Sequence, residues 1–526
     1  MARRRRLILF SLACLSGAFF ACASPPFDLV SALWFGMAAF AYSLQECAEA
    51  AVPFSWFRGG LLGLGFGIGA NVVALRFVPG VITRFTPLPY SVGIVALVLL
   101  AASQALRWVV AAWAWNALTR RHERWRVPRP VAFAVAVYIG TWVPVIFPWN
   151  PAGGATLHPE LVQLADTIGE RGVSALMALS AGFLAVAVRQ RQLRTAWAAL
   201  ALPALMYLHG RVRMGEIDAL RARAKTATVA LVQPSVEATE RWDRTRARHI
   251  LTLLTELTQR AERDGAELTI WHESAYPYEM AHASRRAPMA SWTMLQPGVH
   301  GPVLTGLVLR DGGPPLAAAD FQRSETERFN SAIVAHGDGT LSQPYDKLHL
   351  LWFGETVPLA DAIPWIRRTF ARGLGLTPGT SQVVLDVGKV RATVLICFED
   401  TLPAAGREAM ALAPNLLVNV TNDAWFTAGE AESTESELHL RMAVMRSIEG
   451  RRDMVRAVNF GPTSWVDAAG RVRGRYASIT PGVLLATPAL LETPATLYTR
   501  FGDLPFALVL VAGTAAFAWA AARRPR

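Results

Sequence analysis

Hydrophobic positions follow two different patterns along this chain. Up to about residue 208, and again over 504–522, they form long runs with no polar face. Roughly 20 apolar residues in a helix span the ~30 Å hydrocarbon core of a bilayer. Eight segments read this way, at about 7–23, 29–46, 58–79, 91–116, 130–147, 172–188, 192–208 and 504–522. The third is glycine-rich from Gly59 to Gly69 and carries Arg76. Small residues and a charge predict a place inside a helix bundle rather than against lipid.

Over 225–485 the pattern shortens. Strands are predicted at Thr226–Val232, Leu268–Trp271, Pro302–Leu309, Ser331–Ala335, Val383–Leu385, Ala392–Ile396, Leu416–Val420 and Thr463–Val466. Arg244–Ala261 carries apolar residues at Ile250, Leu253, Leu254 and Leu257, the spacing of an amphipathic helix, and a second helix is predicted over 434–450. Interleaved strands and helices predict an α/β or layered αββα domain. The expected organisation is therefore a seven-helix transmembrane region (1–210), a soluble α/β domain (211–500), and a final span with a tail (501–526).

Composition agrees with a membrane protein. Hydrophobic residues make up 52% and charged residues 17%, with 17 Trp and 24 Phe. These values exclude a disordered chain or a coiled coil. The net charge of +12 invites a nucleic-acid partner, but the distribution argues against one. Sixteen arginines sit in five short segments: Arg3–Arg6; Arg58; Arg120, Arg121, Arg124, Arg126 and Arg129; Arg189, Arg191 and Arg194; and Arg523, Arg524 and Arg526. With the N-terminus in the cytoplasm and eight crossings, all five segments fall inside. The short loops on the other side hold only Arg84 and Arg171. This asymmetry is the positive-inside rule, and it places the soluble block outside the cytoplasm. The other reading of residues 1–24, a cleaved signal peptide ending at Ala21-Cys22-Ala23, would invert the pattern.

Candidate chemistry sits in the soluble block. Of four cysteines, only Cys397 lies there; Cys14, Cys22 and Cys47 lie in or beside spans. A lone cysteine in an oxidising compartment is a free thiol, and this one follows a predicted strand. Taken alone, it reads equally as a small buried hydrophobe. Other motifs change that balance. Ile270-Trp271-His272-Glu273 ends an apolar strand on a carboxylate. Tyr345–Leu359 places Lys347 eight residues before Glu355. Asn419–Phe426 follows the strand after the cysteine.

Here the chain resembles the nitrilase superfamily, whose Glu-Lys-Cys triad occurs in the order Glu273, Lys347, Cys397. Within it, the multiple spans, the extracytoplasmic block and one last span resemble the apolipoprotein N-acyltransferase family. Pro25-Pro26-Phe27-Asp28, Val232-Gln233-Pro234 with Trp242, Tyr345–Leu359, Asn422–Phe426, Arg456–Gly461 and Thr496–Gly502 carry that resemblance. It departs at His272, Phe398 and Trp352, in the acidic stretch 427–437, and over spans three to five.

The resemblance implies a bacterial inner-membrane acyltransferase. A phospholipid acyl ester would acylate Cys397, and the α-amine of a diacylglyceryl-cysteine on an apolipoprotein would take the acyl group. Glu273 would be the general base, and Lys347 would favour the thiolate and stabilise the oxyanion. Glu355 and Glu399 would support them. Trp242, Phe398 and Trp425 would contact substrate. No cofactor is implied, and a monomer is expected. No metal-ligand spacing is visible; His336, His349 and His439 are scattered along the chain. Three other readings stay open: a membrane-tethered amidase or nitrilase using the same triad, a paralogue acylating another amine, and a transporter or binding protein with a decayed domain.

Overall fold

The computed structural model describes residues 2–49, 55–120, 127–238, 240, 243, 245–288, 291–311, 327–352, 354–356, 375–427, 430–431 and 433–522. The chain divides into two compact units, residues 1–216 with 496–526, and residues 217–495.

The first unit is helical. Its helices include Ala2–Ala21, Ala32–Glu49, Ser55–Ala74, Tyr90–Gln104, Leu106–Arg120, Arg129–Gly140, Ala165–Gln190 and Leu504–Ala522. Among the described residues three are long and apolar enough to cross a membrane: Phe57–Ala74, Tyr90–Thr119 (running through Ala105) and Ala165–Gln190. Leu7–Ala21, Arg129–Gly140 and Leu504–Ala520 are shorter apolar helices.

Several expected spans differ in detail. The segment expected over 91–116 is two helices meeting at Ala105. That expected over 58–79 stops at Ala74, and Val78–Phe85 forms a separate short helix around Pro79. That expected over 130–147 ends at Gly140, before Pro144 and Pro148. Proline has no N–H to donate and disfavours helix in the residue before it. That expected over 192–208 belongs to a helix extending from Leu193 to Arg221.

The glycines of the third helix do what the pattern predicted. A Cβ on Gly69 would lie 2.0 Å from the Cys14 carbonyl oxygen, and one on Gly63 would lie 2.3 Å from that of Trp108. Backbones therefore approach closely only because these positions have no side chain. Phe20, Phe40, Phe66, Trp108 and Phe133 form an aromatic cluster beside them.

The second unit is a two-sheet sandwich. Among the described residues its strands are β1 (Lys225–Thr226), β2 (Val229–Gln233), β3 (Leu268–Trp271), β4 (Met280–Ala281), β5 (Val303–Arg310), β6 (Arg328–Ala335), β7 (Tyr345–Asp346), β8 (Leu385–Val387), β9 (Val390–Ile396), β10 (Leu416–Thr421), β11 (Met454–Val458), β12 (Thr463–Val466), β13 (Val472–Tyr476), β14 (Gly482–Ala486) and β15 (Ala489–Leu490). One sheet runs β14-β2-β3-β5-β6-β7, with β4 beside β5. The other runs β13-β12-β11-β10-β9-β8, and β1 pairs with β15.

Strand alternation sorts the side chains between layers. Leu231, Ile270, Leu304 and Val334 of the first sheet meet Val394, Ile396, Val418, Val420 and Val455 of the second in the central core. On the opposite face of the first sheet, Val232, Trp271 and Ile333 pack with Ile250 and Leu254. Those two belong to helix Ala247–Arg263. Helix Pro403–Ala411 lies on β9 and against helix Thr434–Gly450. The layers are therefore α, β, β, α, as the pattern of elements predicted. The pairs β2–β3 and β9–β10–β11 are parallel. Ligand sites in parallel sheets collect at the carboxyl ends of the strands, and the candidate chemistry lies at the ends of β3, β9 and β10.

Candidate active site

Cys397 begins a 3-10 turn (Cys397–Thr401) directly after β9. Its φ is 55°, in the left-handed region that a side chain with a Cβ rarely adopts. The bend turns the thiol out of the strand direction, and Asn419 fixes it by donating its side-chain amide to the Leu395 and Cys397 carbonyls (3.0 and 3.1 Å). Strain of this kind persists only where the surroundings over-determine it.

Glu273 leaves the end of β3, and its neighbour Ser274 also has positive φ, 51°. The carboxylate is buried. Oε1 accepts from the Asn330 side-chain amide at 2.7 Å, and Oε2 accepts from the Asn422 backbone N–H at 3.1 Å. Lys347, almost fully buried, follows β7. Its Nζ lies 3.8 Å from Glu273 Oε1 and 2.7 Å from Glu355 Oε2. Asn330 donates to Glu355 Oε1 at 2.8 Å as well, so one amide ties both carboxylates together. Glu355 Oε2 also accepts the Leu351 amide at 2.9 Å. Removing any one of these partners would leave a buried polar group unmatched, at about 1–3 kcal/mol or more.

Burial raises the Glu273 pKa above the ordinary carboxylate range; Lys347 and Asn330 oppose that shift, and Glu355 adds to it. For Lys347 burial works against the charge. The Glu355, Cys397, Glu273 and Glu399 groups outweigh it and hold the pKa above the usual lysine value. The surrounding protein pushes the Cys397 thiol well up, Glu273 adds to this, and Lys347 pulls the other way. Burial thus favours the thiol, while the Lys347 ammonium favours the thiolate and the Glu273 carboxyl group is the neighbour that can take the proton.

Glu399 is a clamp between two segments. Its carboxylate accepts the amides of Leu348 (2.8 Å), His349 (3.0 Å) and Ile396 (2.8 Å), and the Tyr345 hydroxyl (2.9 Å). It locks the lysine loop onto the nucleophile turn. Phe398 lies with its ring centroid 5.3 Å from Lys347 Nζ, close enough for a cation–π contact. Trp425, in the short helix Ala424–Thr427, and Trp352, in the lysine loop, both present exposed rings. Trp242 lies outside the described residues.

Among the residues expected from sequence, Glu273, Lys347, Glu355, Glu399 and Phe398 thus converge around the Cys397 turn. Asn330 and Asn419 were missed. Each is a polar residue inside a buried strand, and a side-chain amide among apolar neighbours needs partners; that was the available signal. His439 is not isolated in space either. Its Nε2 lies 2.7 Å from Asp400 Oδ1 and its Nδ1 3.3 Å from Asp423 Oδ1.

Comparison with known proteins gives consistent matches. The sequence model for the apolipoprotein N-acyltransferase N-terminal domain matches residues 16–183, and that for carbon-nitrogen hydrolase matches residues 228–491. An apolipoprotein N-acyltransferase of Geobacter metallireducens is 30% identical, over 98% of this chain and 95% of its own. That of Bradyrhizobium diazoefficiens is 33% identical over 73% of this chain and 72% of its own. That of Nitrosomonas europaea is 28% identical over 93% and 97%. A solved amidase of the nitrilase superfamily from Nesterenkonia AN1 covers 54% of this chain and 98% of its own, at 19% identity and a TM-score of 0.38.

Proposed function

The chain belongs to the apolipoprotein N-acyltransferase family, and from that premise we propose that it moves a fatty acyl chain from a membrane phospholipid to an apolipoprotein. The acceptor is the N-terminal amine of a diacylglyceryl-cysteine, and Cys397 carries the acyl group between the two half-reactions. The observation that carries the residue assignment is the buried Glu273–Lys347 pair, 3.8 Å apart, whose charges both act on the Cys397 thiol.

Glu273 accepts the thiol proton as the sulfur attacks the ester carbonyl carbon. The carbonyl oxygen becomes an oxyanion, which the Lys347 ammonium stabilises. Collapse breaks the carbon–oxygen ester bond. Glu273 returns the proton to the leaving alkoxide, so a lysophospholipid departs and a thioester remains. The neutral α-amine then attacks the thioester carbonyl, Glu273 takes the amine's proton, and the thiolate leaves. The product is an amide, and the proton on Glu273 restores the thiol. Glu355 and Asn330 hold Lys347 and Glu273 in register, and Glu399 keeps the lysine loop on the nucleophile turn. The exposed rings of Trp352 and Trp425 offer apolar surface to an acyl chain. Both substrates are bilayer-bound, which is the reason for a tethered catalytic domain. The arginine distribution supports a bacterial inner-membrane protein with eight spans and a periplasmic catalytic domain.

Incubated with phospholipid alone, the wild-type enzyme should gain one acyl mass on the Cys397 peptide, released by hydroxylamine. Cys397→Ser should stay folded and lose transfer, because a hydroxyl is a far weaker nucleophile under the same base. Acyl mass on another residue, or transfer by the serine variant, overturns the assignment. Hydrolysis of small amides without amine acylation would indicate an amidase instead.

A further inference from the structure

Behind the nucleophile turn lies a second cluster that the acyl-transfer steps do not use. Asp423, Glu435 and His439 are buried, and each offers one donor atom, all within 4.8 Å of one another. Asp423 Oδ2 and Glu435 Oε2 have no hydrogen-bond partner among the described residues. Asp423 is 1% exposed and Glu435 6%. Two buried carboxyl oxygens without donors are costly unless something positive joins them.

We infer that Asp423, Glu435 and His439 form a binding site for a divalent cation of the zinc type, with Asp400 orienting the imidazole. Three further observations support this site. Asp400 Oδ1 lies 2.7 Å from His439 Nε2, and Asp400 Oδ2 accepts from Arg456 Nε at 3.1 Å. A carboxylate on the far nitrogen of a ligating histidine fixes the tautomer and turns the near nitrogen, here Nδ1, which lies 3.3 Å from Asp423 Oδ1, towards the metal. The donor chemistry also fits: Asp423 and Glu435 bring two carboxyl groups beside the imidazole, and Asp400 behind it is held by the Arg456 guanidinium. The reach is short as well. The donors lie within 4.8 Å of one another, and tetrahedral zinc with bonds of ~2.1 Å sets donors ~3.4 Å apart, so side-chain shifts of about an ångström close the site. One imidazole and two carboxylates suit zinc and leave a fourth position open.

The ion would not touch the reacting atoms. It would join the nucleophile turn through Asp400, the Asn422–Asp423 turn that donates to Glu273, and helix Thr434–Gly450. The proposal is therefore independent of the acyl-transfer assignment.

The test uses the full-length enzyme in detergent, stripped with a chelator and titrated with Zn²⁺. Wild type should retain about one equivalent after gel filtration and gain a few degrees in Tm. Bound Co²⁺ should give the visible bands of a low-symmetry site. Glu435→Gln keeps the side chain's size and removes the buried charge; it should elute as wild type, match or exceed its metal-free Tm, and lose both the zinc equivalent and the Tm gain. His439→Gln should lose the Co²⁺ bands. No stoichiometric uptake by wild type, or equal uptake by Glu435→Gln, overturns the proposal.

Discussion

At the scale of single residues, the site depends on how one carboxylate is kept ionisable. Glu273 has its pKa raised by burial, with Lys347 and then Asn330 acting against that shift. A base works only when ionised, so thioester formation should rise with pH through a midpoint above the ordinary carboxylate value of ~4.3. Asn330→Ala removes one hydrogen bond that favours the ionised form. The acid limb should then move to higher pH, and the plateau rate should fall modestly. Glu273→Gln should abolish the limb and lower the rate by about 10²–10⁴-fold. Single-turnover acylation measured from pH 4.5 to 8 checks both, and an unmoved limb in Asn330→Ala would show that the amide does not tune the base. Glu273, Lys347 and Cys397 could be proposed from the sequence because each sits in a distinctive flank. Asn330 could not, because an amide in a buried strand signals that it needs partners but not that they are two carboxylates distant in sequence. The same limit hid the cluster around His439, whose partners lie 4, 16 and 39 residues away in sequence.

Elements were legible to the extent that they are buried on both faces. β3 and β12 fall at the predicted residues, since Leu268–Trp271 and Thr463–Val466 are short runs rich in β-branched and aromatic residues. β13 (Val472–Tyr476) is mostly exposed and reads as polar, so no hydrophobic pattern announced it. The predicted strand 226–232 is two strands, because the chain leaves β1 at Thr226 and enters the main sheet only at Val229. Packing between elements also constrains the site in a way only the structure reveals. Gly306 of β5 lies directly against the turn that carries the base. A Cβ there would sit 2.6 Å from the Ser274 nitrogen and 2.7 Å from the Glu273 Cα. Those atoms are backbone, so the clash cannot be relieved by rotating a side chain. Gly306→Ala should therefore displace Glu273 from Lys347 and Asn422, cutting acylation at least 10²-fold, since small displacements of a catalytic group carry penalties of that size. The sandwich should still form, as β5 keeps its ladder to β6. Normal acylation by a folded Gly306→Ala variant would mean that the turn adapts more freely than its neighbours allow.

For the molecule as a whole, the decisive expectation is topological. Seven spans before the α/β unit and one after it would put both ends of the chain in the cytoplasm and the catalytic unit outside. Charge sets this orientation. Moving an arginine-rich loop to the outer face opposes the bias that sets orientation, and five such segments agree on one arrangement. Helices ending early at Gly140 and Ala74 do not disturb this count, since short or tilted spans are accommodated by thinning or snorkelling at modest cost. Losing or gaining a single crossing would reverse the side on which the catalytic unit lies. Asp338 is exposed on the loop after β6, so Asp338→Cys offers a label far from Cys397 in sequence. In intact spheroplasts a membrane-impermeant maleimide should modify it fully, while a cysteine placed at Arg191, after helix Ala165–Gln190, should react only after permeabilisation. The opposite pattern would invert the orientation. Labelling of both positions from the same side would mean an even number of crossings between them, and it would remove the separation of a cytoplasmic arginine belt from an outward-facing acyltransferase unit.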